Sequence, residues 1–173
     1  MSSDEMGQFL ADAYREAFGA DRFHSLFDNA SLADGQTIDF ALAEWHAFGA
    51  FIFTYCLWVV YNDRNKVSPI LNCFHPALLS SLCLNEVAEK RFLTIASDRE
   101  REYVDHFQRV KDGADMGIFF SRVIARITGD FSSDCDSKGL PQTSDLAINA
   151  PLCGYVIDVM KHTKLAIQEF GPR

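Results

Sequence analysis

Apolar residues recur along this chain at spacings of three and four, the pattern typical of helices that bury one face. The N-terminal helix is the clearest, because Ser2 and Glu5 match a capping box and Gly19 provides a natural end. No strand-like alternation and no internal repeat interrupts the series. The chain is therefore predicted to be all-α, a single domain over residues 1–173 that folds as an antiparallel bundle of about six or seven helices.

The segment Ile38–Tyr61 differs from the other helices because its second half carries Thr54 as its only polar residue. A helix that is apolar on every side lies at the centre of a bundle or spans a membrane. A spanning helix needs about 20 apolar residues. The apolar run here is shorter, and Glu44 and His46 precede it. We predict that this segment is the buried central helix of the bundle and that the protein has no membrane span.

Proline and capping signals predict where the following helices begin and end. The polar stretch Asn62–Ser68 predicts a turn, and Pro69 is a favourable first residue for the next helix. That helix is expected to kink or to restart at Pro76, and from Ala77 the chain is expected to stay helical to about Ala96. The stretch Ser97–Glu100 repeats the capping-box pattern, so a new helix is predicted to begin there.

The segment Asp130–Ala150 is rich in Ser, Asp, Gly and Thr, and it is predicted to be a flexible polar loop. Four of its residues match positions of a calcium-binding loop. Lys138, however, stands where a ligand oxygen is required, so calcium is not expected. The last helix is predicted to follow this loop, with Asn149 as its cap and Pro151 at its first position.

Charge and cysteine content limit the classes of partner. The formal net charge is -8, from 24 acidic and 16 basic residues, whereas nucleic-acid binding depends on a basic surface. Residues 1–5 are polar and acidic, unlike a secretory signal, and the five cysteines show no C-x-x-C spacing. We therefore predict a cytoplasmic protein with reduced thiols that binds no nucleic acid.

The aromatic content is high, with 15 Phe residues in 173. Phe has a large apolar surface and no polar group, so most copies must be buried in the core or in an interface. The aromatic residues outnumber those that one face of a central helix needs. Self-association would cover the remainder, and we predict a homo-oligomer, most simply a homodimer.

An apolar ligand between helices is the alternative partner for these aromatic residues. The residues predicted to contact it are Trp45, Phe48, Arg99 and Tyr103. Arg99 interrupts an apolar stripe, so in a continuous helix it would be partly buried and would need a carboxylate or an anionic ligand. A helix that restarts at Ser97 would leave Arg99 exposed, and the capping pattern favours that outcome.

Glu102 and His106 are the best candidates for metal ligands, because residues four apart lie on one face of a helix. One helix supplies only part of a coordination shell, and the chain has no second E-x-x-H step and no H-E-x-x-H motif. A charged surface pair explains the spacing equally well. No metal and no cofactor is therefore predicted.

Three classes of function are compatible with the sequence. The first, which we favour because no catalytic motif is present, is a non-enzymatic cytoplasmic helical protein that acts through a protein interface. The second is a helical protein that binds a small apolar or amphipathic ligand in a pocket. The third is a metal-dependent enzyme built around Glu102 and His106.

Overall fold

The computed structural model describes residues 1–27, 32–108, 113–129 and 146–172, and in these residues every regular element is a helix. The all-α prediction is therefore confirmed, with the helices packed against one another as a bundle. The described residues form seven helices: α1 (Ser3–Phe18), α2 (Ala20–Phe27), α3 (Ile38–Tyr61), α4 (Arg64–Leu82), α5 (Glu86–Phe107), α6 (Gly113–Thr128) and α7 (Leu146–Phe170).

Helix α3 is the centre of the bundle and has the bounds that its sequence predicts. Thr37 caps its first turn by accepting a hydrogen bond from the backbone N–H of Phe40 at 3.2 Å, and Asn62 ends it in a left-handed conformation. All the other helices pack against it. By length and composition alone, α3 could cross a membrane, with a mean hydropathy of 1.3, but 78% of that window is buried against the rest of the protein. Such burial is typical of a core helix.

Aromatic rings from five helices form the core around α3. Phe18 of α1 lies 4.7 Å from the ring of Trp45, and Trp45 donates from its indole Nε1 to the carbonyl of Phe18 at 3.0 Å. On the other side of α3, Phe48 packs against Tyr103 of α5 and Phe119 of α6. These contacts are edge-on or tilted, the geometries that aromatic pairs prefer.

Helix α4 is held close to α1 rather than to its neighbour in sequence, α5. Gly7 makes this approach possible, since a Cβ atom at that position would lie 2.6 Å from Cβ of Cys73 and 2.9 Å from the backbone nitrogen of Phe74. Helix α5 instead packs against α3. Helices α4 and α5 therefore diverge from the turn that joins them and leave part of α3 uncovered between them.

The predicted start of α4 and the alternative of a restart at Pro76 are wrong. The turn between α3 and α4 is limited to Asn62 and Asp63, because Asp63 caps the new helix by accepting from the N–H of Asn65 at 2.9 Å. Helix α4 therefore begins at Arg64, and it runs through Pro76 without a break.

The break predicted at Ser97 is also wrong, because the chain turns about twelve residues earlier. Cys83 ends α4 in a left-handed conformation, with a φ of 50°. Asn85 then caps α5 by accepting from the N–H of Ala88 at 2.9 Å. Helix α5 is continuous through Ser97, and this continuity keeps Ile95 and Tyr103 on its buried face.

Helix α7 begins earlier than its sequence predicts. It starts at Leu146, so Pro151 lies within the first two turns rather than at the first position. The last five residues of the predicted loop, 146–150, are therefore helical. Residues 130–145, which include the calcium-like pattern, lie outside the described residues.

Candidate functional site

A groove runs along one face of α3 beside α5, and α4 forms the facing wall of its middle part. Its closed end is the corner formed by residues 83–85, from which the two helices diverge. Because α4 packs chiefly on α1 and α5 chiefly on α3, the face of α3 between them remains uncovered. We call this feature the α3 groove and describe it in three sections, from the corner to the open end.

The corner section is a recess of about 590 Å³. The sequence places Asp39 and His46 on one face of α3, and both side chains line this recess, as their spacing of seven predicts. Glu86 and Arg91 from the first turns of α5 face them, so the recess contains charges of both signs. Phe92 of α5 separates this recess from the next section and lines both.

The middle section has a volume of about 200 Å³, and the open-end section has about 340 Å³. Phe51, Thr54 and Glu100 line both sections, so the two sections are adjacent along the groove. The remaining residues of the middle section are Ala47, Ala50, His75, Leu78, Leu79, Phe92, Leu93, Ala96 and Ser97. The remaining residues of the open end are Tyr55, Trp58, Val104, Phe107 and Gln108.

Small side chains create the space in the middle section. Ala47 and Ala50 form its floor on α3, and Ala96 lies on the facing side of α5. The walls carry larger apolar groups, including Leu79 on α4 and Leu93 on α5. An apolar channel with a few polar groups is the usual character of a small-molecule site between helices.

A chain of buried and half-buried charges lies on the other side of α5, and we call it the charge network. Glu44 of α3 accepts two hydrogen bonds from Arg99 of α5, from Nη2 at 2.7 Å and from Nε at 2.8 Å. Arg99 also donates from Nη1 to Glu102 at 3.0 Å, and Arg126 of α6 donates to the other oxygen of Glu102 at 3.2 and 3.3 Å. Two parallel bonds between a guanidinium and a carboxylate are the strongest form of this pairing.

Exposure increases steadily along the charge network from the interior to the surface. The side chains are 0% exposed for Glu44, 16% for Arg99, 21% for Glu102 and 34% for Arg126. The contact with Glu44 raises the pKa of Arg99 further above its ordinary value. The signs alternate, so every buried charge has an opposite charge beside it. We interpret the network as the polar link that sets the position of α5 between α3 and α6.

Tyr103 lies beside the network in the core. Its side chain is fully buried, and burial raises the pKa of its hydroxyl well above the ordinary range because a phenolate would be desolvated there. The hydroxyl has no hydrogen-bond partner among the described residues. Tyr103 therefore contributes mainly through the packing of its ring against Phe48 and Phe51.

A second polar contact joins α1 to α3. The hydroxyl of Tyr14 lies 3.0 Å from Nδ1 of His46 and 3.0 Å from the backbone carbonyl of His46. The hydroxyl of Tyr14 donates to the carbonyl oxygen of His46, and Nδ1 of His46 is a second acceptor within reach of the same proton. Burial lowers the pKa of His46 from 6.5 to about 4, because the charged imidazolium would lose its hydration. His46 is therefore neutral near pH 7.

The aromatic residues that the sequence predicts for ligand binding lie together in the structure, since Phe48 contacts both Trp45 and Tyr103. Trp45, Phe48 and Tyr103 are fully buried in the aromatic core, and none of them lines a section of the α3 groove. The favoured prediction that Arg99 is exposed is wrong, because α5 is continuous and carries Arg99 onto Glu44. A contact between these four residues and a ligand stays a prediction.

The weak metal candidates Glu102 and His106 both contact arginines. Glu102 accepts from Arg99 and Arg126, and Nη1 of Arg122 lies 2.6 Å from Nδ1 of His106. A metal ion at this pair would therefore meet two or three guanidinium charges at short range. Within the described ranges, the side chains of His, Cys, Asp and Glu form no cluster of three or more that could hold a metal ion.

Two residues of the site were not identified from the sequence. Glu44 is a carboxylate next to the apolar run of α3, and that position was a signal that it has a buried cationic partner. Glu100 had no such signal, because its neighbours in the sequence from Asp98 to Glu102 are all charged. Its position on the groove depends on where α4 ends.

Comparisons of the chain with models of protein families, with curated proteins and with solved structures yield no match. The function is therefore argued from the site itself.

Proposed function

We propose that this protein is a binding protein for a small linear molecule with an apolar chain, which lies in the middle and open-end sections of the α3 groove. The observation that carries the proposal is a pair of adjacent, mainly apolar sections on α3: α4 and α5 form the walls of the middle section, and α5 forms the wall of the open end. The two sections together fall within the usual volume range of small-molecule sites, roughly 300–1,000 Å³.

The shape of the space favours an extended chain over a compact ligand. From Ala47 to Trp58 the groove follows α3 for about 16 Å, at a rise of about 1.5 Å per residue. Both α4 and α5 line the middle section, so it is narrow, and it is closed at its inner end by Phe92. An alkyl chain would remove the apolar walls from water along this length, which is the main source of affinity in such sites.

Binding of decanol, below its solubility limit in water, tests this proposal. The protein has two tryptophans. Trp45 is fully buried in the core, whereas Trp58 is 39% exposed at the open end of the groove. We expect decanol to shift the emission of Trp58 to shorter wavelength, because the chain replaces water beside the indole, and to displace the uncharged dye N-phenylnaphthylamine. Trp58→Phe should abolish the tryptophan signal and leave the dye displacement.

A matched pair of variants locates the binding site. Ala50→Phe fills the floor of the middle section and should weaken decanol binding at least tenfold, because the chain and the new ring compete for one space. Ala150→Leu adds an apolar side chain at an exposed position of α7 and should leave binding unchanged. Thermal melting shows whether each variant is folded. Equal affinity of a folded Ala50→Phe variant and the wild type would refute the groove as the site.

Self-association through the open end is a second candidate, and it retains the interface function that the sequence favours. Trp58, Val59 and Val104 expose 39%, 47% and 39% of their surface around this end. A second copy would cover these apolar groups. We expect light scattering at micromolar concentration to give twice 19.5 kDa if this candidate holds, and Val104→Glu to restore the monomer. A monomeric wild type across that range would eliminate it.

A further inference from the structure

Glu100 occupies the junction of the middle and open-end sections, one helical turn beyond Ala96. Among the described residues that line these two sections, it is the only one with a carboxylate, and none of them is a lysine or an arginine. Glu100 forms no hydrogen bond or ion pair with any residue that the structure describes. The groove therefore presents one unpaired negative charge to whatever lies in it.

The neighbouring cations do not neutralise Glu100. Arg99 is about 100° around α5 from Glu100, and Glu44 and Glu102 hold its guanidinium there. Arg101 lies on the outer side of α5, in a shallow cleft that it shares with Glu100, and forms no ion pair with it.

His75 is the titratable group that faces Glu100 across the middle section, on α4. Burial lowers its pKa, and the charge of Glu100 opposes this effect only in part. The imidazole is therefore uncharged near pH 7, and the net charge of the two sections is that of Glu100.

The open end adds a second feature that suits a cation. The rings of Tyr55, Trp58 and Phe107 line the section next to Glu100. Aromatic faces attract ammonium groups, and tryptophan does so most strongly. The middle section, by contrast, is lined mainly by apolar residues such as Leu78 and Leu93, and apart from Glu100 its polar residues are Thr54, His75 and Ser97.

We infer that the ligand of the α3 groove is an alkylammonium compound, with its cationic head between Glu100 and the aromatic rings of the open end and its chain directed inward along α3. This inference rests on the proposed function. It adds the class of ligand and its orientation in the groove. The class includes primary amines and quaternary ammonium compounds of the choline type, because both have a positively charged nitrogen.

Competition against N-phenylnaphthylamine with three ten-carbon compounds tests the inference at pH 7.5 and low salt. Decylamine, decanol and decanoate have the same chain and differ in head-group charge. We expect decylamine to bind about fivefold more tightly than decanol. This ratio corresponds to the upper end of the free energies found for solvent-accessible ion pairs. Decanoate should bind more weakly than decanol because its charge repels Glu100. Decyltrimethylammonium, added as a fourth compound, distinguishes a quaternary from a primary head group.

Glu100→Gln tests the role of the carboxylate. This exposed substitution should weaken decylamine about fivefold, strengthen decanoate, and leave decanol unchanged. Asp98→Asn removes an equal charge from an exposed position of α5 that does not line the groove, and it should preserve the order of affinities.

The outcomes separate the two proposals. If decylamine, decanol and decanoate bind the wild type equally, or if Glu100→Gln keeps the preference for decylamine, the inference about the head group is wrong while the groove remains a binding site. If none of the compounds displaces the dye or shifts the emission of Trp58, the proposed function itself is wrong.

Discussion

Arg99→Met is expected to lower the free energy of unfolding by about 3–5 kcal/mol, because it leaves the fully buried carboxylate of Glu44 without its partner. Met replaces the unbranched stem of Arg from Cβ to Nε and lacks only the charged end, so the loss of apolar packing is small and the effect reports the unpaired charge. Urea denaturation at pH 7 measures it.

Two further variants make this result specific. Arg15→Met removes an arginine from an exposed pair with Asp12, 3.8 Å long, and should change stability by no more than about 0.5 kcal/mol. The double variant Glu44→Leu with Arg99→Leu removes both charges, and it should recover most of the loss because the buried site then contains only apolar groups. A double variant that is as unstable as Arg99→Met would show that packing, and not the unpaired charge, dominates.

The stability of the protein is expected to fall by about 2.5 kcal/mol between pH 7 and pH 4.5 on account of His46 alone. The folded protein holds the pKa of His46 at about 4, below the ordinary value of 6.5. Between these values the unfolded chain binds a proton that the folded protein does not. The contribution of His46 is therefore complete above about pH 6.5 and is lost as the pH falls toward 4. Urea denaturation at both pH values measures the difference.

Carboxylates also titrate in this range, so the comparison between variants is decisive. His46→Gln should reduce the pH-dependent loss by about 2.5 kcal/mol, because the amide does not titrate. His162→Gln changes an exposed histidine of α7 and should keep the loss of the wild type. The titration of the His46 ring signals by NMR provides a second measurement that needs no variant. A titration midpoint near pH 6.5 would show that the folded protein does not lower the pKa of His46, and it would contradict this prediction.

The sequence predicted much of the fold and less of the site. Helix α3 has the predicted bounds, its second half is the apolar run, and the capping box of Ser2 and Glu5 is present with both of its hydrogen bonds. The shared face of Asp39 and His46 also follows, because the helical period determines it. These features depend on residues at most seven apart in one helix.

The capping pattern at Ser97 shows why the rest could not be predicted. The same residue types favour a helix start in isolation, but the buried stripe of α5 on both sides of Ser97 stabilises a continuous helix instead. The prediction for Arg99 failed for the same reason, since its exposure depended on that break. Tertiary packing outweighs a local preference of about 1 kcal/mol.

The sequence by itself determined the all-α class and the identity of the central helix, because helical periodicity and capping are decided by interactions between near neighbours in the chain. Only the tertiary structure decided the partner of Arg99, 55 residues away on α3, and the existence of the α3 groove. The groove arises because α4 packs on α1, through the close approach at Gly7, while α5 packs on α3. Contacts between distant segments produce that divergence, and no local pattern in α4 or α5 encodes it.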